Sequence, residues 1–169
     1  MKRLCAALVL ALALPWPTRA VAKAVRILNQ AELAAEKDRH KGRVLVVHVW
    51  ATWCEACMAE LPLVARVARE AKSRGIDFLP LSLDDPNPQS AAQVSRVLKA
   101  KTGDEDWSPI LDVADSDDLV ALLDSRWEGE IPAFFVFDRQ GRLHRTLIGN
   151  ITRASFERLV GDLSTANVR

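Results

Sequence analysis

Between Val44 and Trp50 every position is apolar except His48, the pattern of a strand buried on both faces. Met58, Leu61, Val64, Ala65, Ala68 and Ala71 then recur at helical spacing. They predict a helix running from Cys54 and Cys57 to about Lys72 and stopping near Gly75. Ile76 to Leu83 alternates loosely and reads as a second strand. Asn87-Pro88 has the form of an N-cap followed by proline at the first helical position. Val94, Val97 and Leu98 supply that helix's stripe, and Gly103 stops it. Ser108 to Val113 is a short strand candidate, followed by a helix capped by Asp115 or Ser116 with Leu119, Leu122 and Leu123 facing inward. Ala133 to Phe137 and Leu143 to Ile148 flank Asp138-Arg139-Gln140-Gly141, a hairpin signal. Thr152 opens a last helix with Phe156, Leu159, Val160 and Leu163 on one face. Upstream, Lys23 to Gly42 holds a short strand and a helix packed alongside, with Glu36 to Arg43 too charged for a core. This order predicts an α/β chain with a central mixed sheet and helices on both faces.

The first residues follow a different pattern. Lys2 and Arg3 precede an apolar run from Leu4 to Leu14, Pro15-Trp16-Pro17 ends it, and Ala20-Val21-Ala22 offers small residues two apart. These are the parts of a secretory signal peptide. The run is short of the ~18 apolar residues of a spanning helix, although an uncleaved anchor is the alternative. We therefore expect residues 1–22 to be a signal peptide and 23–169 to be one domain, located in the periplasm. Cys5 lies too early to be a lipoprotein cysteine and is expected to leave with the leader.

Composition narrows the function. Lys and Arg number 23 against 22 Asp and Glu, so there is no basic face to argue for nucleic acid. Of three cysteines, Cys54 and Cys57 remain after the leader. In an oxidising compartment such a pair is either a structural disulfide or a couple that cycles. Asp112, Asp115, Asp117 and Asp118 lack the Gly and distal Glu of a calcium loop and read as acids near a helix start.

The chemistry concentrates in Trp50-Ala51-Thr52-Trp53-Cys54-Glu55-Ala56-Cys57, where a buried strand hands over to a helix. Zinc would need two further ligands, and no second C-x-x-C exists; no metal or other cofactor is expected. A helix N-terminus carries unpaired N–H groups and partial positive charge, so a Cys54 thiolate is stabilised and can attack disulfides. Cys57, one turn further in, is shielded and can resolve the mixed disulfide. Glu55, adjacent to Cys54, opposes a second negative charge and should make the couple more reducing.

The chain resembles the thioredoxin superfamily, and within it the TlpA/ResA group of exported thiol–disulfide oxidoreductases. The likeness rests on Trp-Ala-x-Trp-Cys-x-x-Cys, Pro62 five residues after Cys57, Gly129-Glu130-Ile131-Pro132 before an apolar strand, and the Asp-Arg-x-Gly hairpin. It covers roughly residues 40 to 165. The resemblance implies a thioredoxin-like three-layer sandwich, a kinked helix at Pro62, and a cis Ile131–Pro132 bond that leaves a backbone edge free for a substrate strand. It also implies a redox-active Cys54–Cys57 disulfide, with Trp53 and Ile131 at the substrate side. Glu55-Ala56 replaces the Glu-Pro frequent in the group. His48 stands where thioredoxins bury an acid; it could take the Cys57 proton or be a hydrogen-bonded core histidine. Glu60 recurs in such helices, with solvation its plain reading. Trp107 and Trp127 fit either the substrate side or the core.

The expected activity is reduction of disulfides in exported proteins, apocytochrome c among them, by a monomer re-reduced by a membrane thiol donor. The alternative is a Sco-like copper chaperone using Cys54, Cys57 and a distant histidine such as His144. That class usually has three residues between its cysteines.

Overall fold

The computed structural model describes residues 25–112 and 116–164. The leader, the cap at Asp115, the strand end at Val113 and the side chains of Asp117 and Asp118 lie outside them. Among the described residues no helix is long and apolar enough to cross a membrane.

The element order is β1 (Ile27–Leu28), α1 (Gln30–Arg39), β2 (Val44–Trp50), α2 (Glu55–Lys72), β3 (Ile76–Ser82), α3 (Pro88–Thr102), β4 (Ile110–Leu111), α4 (Ser116–Leu123), β5 (Ala133–Phe137), β6 (Leu143–Ile148) and α5 (Arg153–Ser164). One sheet holds all six strands in the order β1-β4-β3-β2-β5-β6. The pairs β1–β4, β4–β3 and β3–β2 are parallel. The pairs β2–β5 and β5–β6 are antiparallel, with a bulge between Val136 and Phe137. The mixed sheet matches the sequence expectation, and β2 at its centre is buried at every position.

Side-chain alternation along β2 divides the core. Leu45, Val47 and Val49 join Phe135, Leu33 of α1 and Leu119 and Leu123 of α4. Val44 and Val46 join Phe134, Val64 and Val67 of α2 and Phe156 and Val160 of α5. Trp50, Cys54, Cys57 and Leu61 pack with Val94 and Leu98 of α3. Helices α1 and α4 thus cover one face of the sheet and α2, α3 and α5 the other, giving three layers with the sheet in the middle.

Local chemistry sets the helix ends. Asn29 and Glu32 form a reciprocal capping box on α1. Asn87 caps α3, Pro88 opens it, and Gly103 closes it at φ +82°, a left-handed conformation that favours glycine. α2 runs continuously through Pro62. Strand β4 is shorter than its pattern suggested. Pro109 has no N–H for a ladder, and the Ser108 hydroxyl accepts the Trp50 indole N–H at 2.9 Å instead.

Candidate active site

The turn after β2 is pinned before it reaches the cysteines. Leu83 N–H donates to the Trp50 carbonyl at 2.9 Å. Thr52 donates its backbone N–H to Asp84 Oδ2 at 2.9 Å and its hydroxyl to Oδ1. The Ser82 hydroxyl also donates to Asp84, at 2.6 Å, and Gln93 Nε2 donates to Thr52 Oγ1 at 3.0 Å. Asp84 is buried, so these donors replace the water a carboxylate would otherwise hold. The segment joining β3 to α3 thereby fixes where α2 begins.

Cys54 is the N-cap of α2. It is joined to Cys57 by a disulfide with 5.2 Å between the α-carbons. The Cys57 N–H donates to Cys54 Sγ at 3.1 Å, so a first-turn amide already points at the sulfur that would carry charge in the reduced form. Cys54 retains 8% exposure and Cys57 none. Beside them, Trp53 is 67% exposed and Glu55 is exposed on the first residue of the helix.

The facing wall is the loop ahead of β5. The Ile131–Pro132 bond is cis, and the Ile131 carbonyl oxygen lies 3.9 Å from Cys54 Sγ. Pro132 is buried, and its carbonyl accepts the Gly149 N–H at 2.8 Å. Thus Cys54, Cys57 and Ile131 meet in one cluster, with Pro132 directly behind Ile131.

His48 lies in the sheet beneath α2, fully buried and stacked on Phe134 with ring centroids 4.4 Å apart. Its Nε2 is 3.1 Å from Glu60 Oε1, while Nδ1 has no partner. Glu60 Oε2 accepts the Ile151 N–H at 2.8 Å. Burial pushes the His48 pKa below its ordinary value, more strongly than Glu60 raises it. A neutral imidazole donates from Nε2 to Glu60 Oε1 and leaves Nδ1 without a partner. Glu60 is 5% exposed, so its solvated reading is corrected: the carboxylate is inside, held by a strand and a loop.

His144 is elsewhere, on β6, with Nε2 3.2 Å from Asp162 of α5. Among the described residues no cluster of three or more His, Cys, Asp or Glu is placed to hold a metal.

The Redoxin family profile matches residues 23–160. The chain belongs to the Redoxin family. It is 24% identical over 119 residues to a thiol-disulfide oxidoreductase ResA of Geobacillus kaustophilus, covering 70% of this chain and 62% of that protein. The chain thus spans about three-fifths of that relative's length. A thiol:disulfide interchange protein of the thioredoxin family from Chlorobium tepidum superposes with a TM-score of 0.58 at 22% identity, over 76% of this chain and 84% of that one. StoA of Bacillus subtilis does so with 0.52 at 24% identity, over 70% and 82%. These likenesses establish the thioredoxin-like fold.

Within this Redoxin family chain, the sequence reading missed Asp84, took Glu60 as solvated and left Trp127 open between core and substrate side. Glu60 sits between Cys57 and Val64 on the apolar stripe of α2, a signal that the residue faces inward. Asp84 lies two residues beyond the end of β3, and nothing in its neighbourhood in sequence points to Thr52. Trp127 is now placed in the core, 5% exposed, with its indole N–H bonded to the Glu130 carbonyl at 2.9 Å.

Proposed function

We propose that this chain is a thiol–disulfide oxidoreductase that reduces disulfides of exported proteins. The observation that carries the reading is the Cys54–Cys57 disulfide at the start of α2, facing Ile131 across 3.9 Å. In the reduced form the Cys54 thiolate attacks one sulfur of a substrate disulfide, forming a mixed disulfide and releasing the first substrate thiol. Cys57, as thiolate, attacks Cys54 Sγ, closes the intramolecular disulfide and releases the second substrate thiol. Two electrons pass from the pair to the substrate. The resulting oxidised form is returned to the dithiol by an external donor, for which a membrane thiol protein is the fitting class.

The remaining residues take roles around that exchange. The Ile131–Pro132 edge receives the substrate backbone, and the exposed Trp53 ring gives it an apolar contact. The His48–Glu60 pair, one helical turn beyond Cys57, is the candidate acceptor of the Cys57 proton. Glu55 disfavours the Cys54 thiolate and so makes the couple more reducing. The reading includes export by residues 1–22, a periplasmic location, action as a monomer, and apocytochrome c as one substrate. The leader's composition supports the first two, and the resemblance to the TlpA/ResA group supports the last.

A Cys57→Ala form expressed with its leader tests the function. It should accumulate mixed disulfides through Cys54, and mass spectrometry identifies the captured partners. Failure to trap any protein, together with tight Cu(I) binding by the unaltered chain, would replace this reading with a copper chaperone.

A further inference from the structure

We propose that Trp127 is a positioning residue that aims the Ile131 N–H at the backbone of the bound substrate. The proposal rests on the reading above, in which the Ile131–Pro132 edge receives a disulfide-bearing chain.

Residues Glu128 to Ile131 belong to no helix or strand, and Glu128 to Glu130 are exposed. Such a loop would ordinarily sample several peptide orientations. Here one buried donor selects among them. The Trp127 ring packs edge-on against Phe135, with centroids 5.2 Å apart. The Trp127 backbone N–H donates to the Asp124 carbonyl at 2.9 Å. Asp124 is itself tied to β6 by the Thr146 hydroxyl at 2.8 Å. The indole N–H of this fixed ring then holds the Glu130 carbonyl at 2.9 Å.

The Glu130 carbonyl and the Ile131 N–H belong to one peptide unit. That unit is trans, since the cis bond of this loop is the next one. In a planar trans peptide the C=O and N–H point in opposite directions. A carbonyl turned towards buried Trp127 therefore turns the Ile131 N–H away from the core. No described group accepts that N–H, while the Ile131 carbonyl stands 3.9 Å from Cys54 Sγ. An extended segment lying across Cys54 thus meets a donor and an acceptor from Ile131 beside the sulfur that attacks it. Trp127 touches neither substrate nor sulfur; it fixes the peptide plane that does the recognising.

Trp127→Phe keeps an aromatic ring against Phe135 and removes the indole N–H. With a short disulfide-bridged peptide as substrate, KM should rise about fivefold, the size of one hydrogen bond lost. The kcat and the reduction potential should hold within about twofold and a few millivolts, because the cysteines and the helix start are untouched. An unchanged KM, or a fall in kcat accompanied by a shifted potential, overturns the assignment. If Trp127→Phe does not fold, hydrogen exchange on the Cys57→Ala protein decides. The Ile131 amide should exchange freely in the free protein and be protected in the peptide mixed disulfide; equal exchange overturns the proposal. Failure of the oxidoreductase reading looks different: the unaltered protein would then not reduce the peptide at all.

Discussion

His48 on β2 and Glu60 on α2 face each other at 3.1 Å, the imidazole fully buried and the carboxylate nearly so. The sheet neighbours of His48 are Pro80 and Phe134, which cannot share or screen a charge, so Glu60 is its ionisable partner. Because burial lowers the His48 pKa in the folded chain, the unfolded chain binds the extra proton first as pH falls below about 6.5. Stability from this residue is complete above that pH and declines below it, until the lowered folded pKa is reached. While one state is protonated and the other is not, the slope approaches about 1.4 kcal/mol per pH unit. His48→Gln keeps a donor at the Nε2 position towards Glu60 and removes the titration. Urea unfolding between pH 5 and 7 should show a shallower acid decline for the variant than for the parent. Glu60→Leu should cost on the order of 2–4 kcal/mol at any pH, by stranding the Ile151 N–H and one His48 nitrogen.

In the reduced protein Cys54 should alkylate before Cys57. The first cysteine keeps a small exposed surface at the helix start and accepts the Cys57 amide, while the second has no exposed surface. Peptide mapping after brief iodoacetamide treatment measures the order. Faster labelling of Cys57 would reverse the two roles.

Glu55 is exposed beside Cys54 and places a carboxylate where a thiolate must form. Solvent and salt reduce the repulsion to about 0.5–1 kcal/mol. Glu55→Gln removes it, favours the reduced form and should make the couple more oxidising by roughly 10–20 mV. A glutathione redox titration of both proteins checks the sign; a shift to more reducing values would contradict the argument.

Asp84 should matter more to stability than its distance in sequence from the cysteines suggests. Asp84→Ala leaves the Thr52 N–H and two hydroxyls without their acceptor and should cost about 2–3 kcal/mol. Asp84→Asn retains an acceptor oxygen and should cost roughly half as much. Equilibrium denaturation of the oxidised proteins compares them.

The elements with strong periodicity were readable from the chain. The uninterrupted apolar run of β2, the stripe of α2 and the two β5–β6 segments around Asp138 each carry their own signal. So did the redox pair, because its spacing and its place between strand and helix are local facts. What the sequence misplaced or left open shares one cause. Glu60 meets His48 and Ile151, Asp84 meets Thr52, and Trp127 meets Glu130 through contacts set by the packing of elements or the closure of a loop. A charged residue within an apolar stripe, or a tryptophan before a loop, has no visible partner until those elements are packed. Strand β4 is present but starts later than its pattern suggested, for a local reason: Ser108 and Pro109 look like strand residues but serve Trp50 and the Ser82 N–H through single bonds.

Among the described residues, strand β6 pairs with β5 on one side of its backbone and with no strand on the other. Such a border invites strands from other molecules to stack on it. Here it carries His144 and Arg145, both joined to Asp162 of α5, with Arg142 just ahead of the strand, and its partner strand is bulged between Val136 and Phe137. Another molecule's strand approaching that border would have to displace charges from water and follow a kinked ladder. The protein thus separates two kinds of strand contact that use the same hydrogen bonds. Self-association along the long border is discouraged, while the short backbone at Ile131 stays bare and close to sulfur, where the proposed function seats the chain to be reduced.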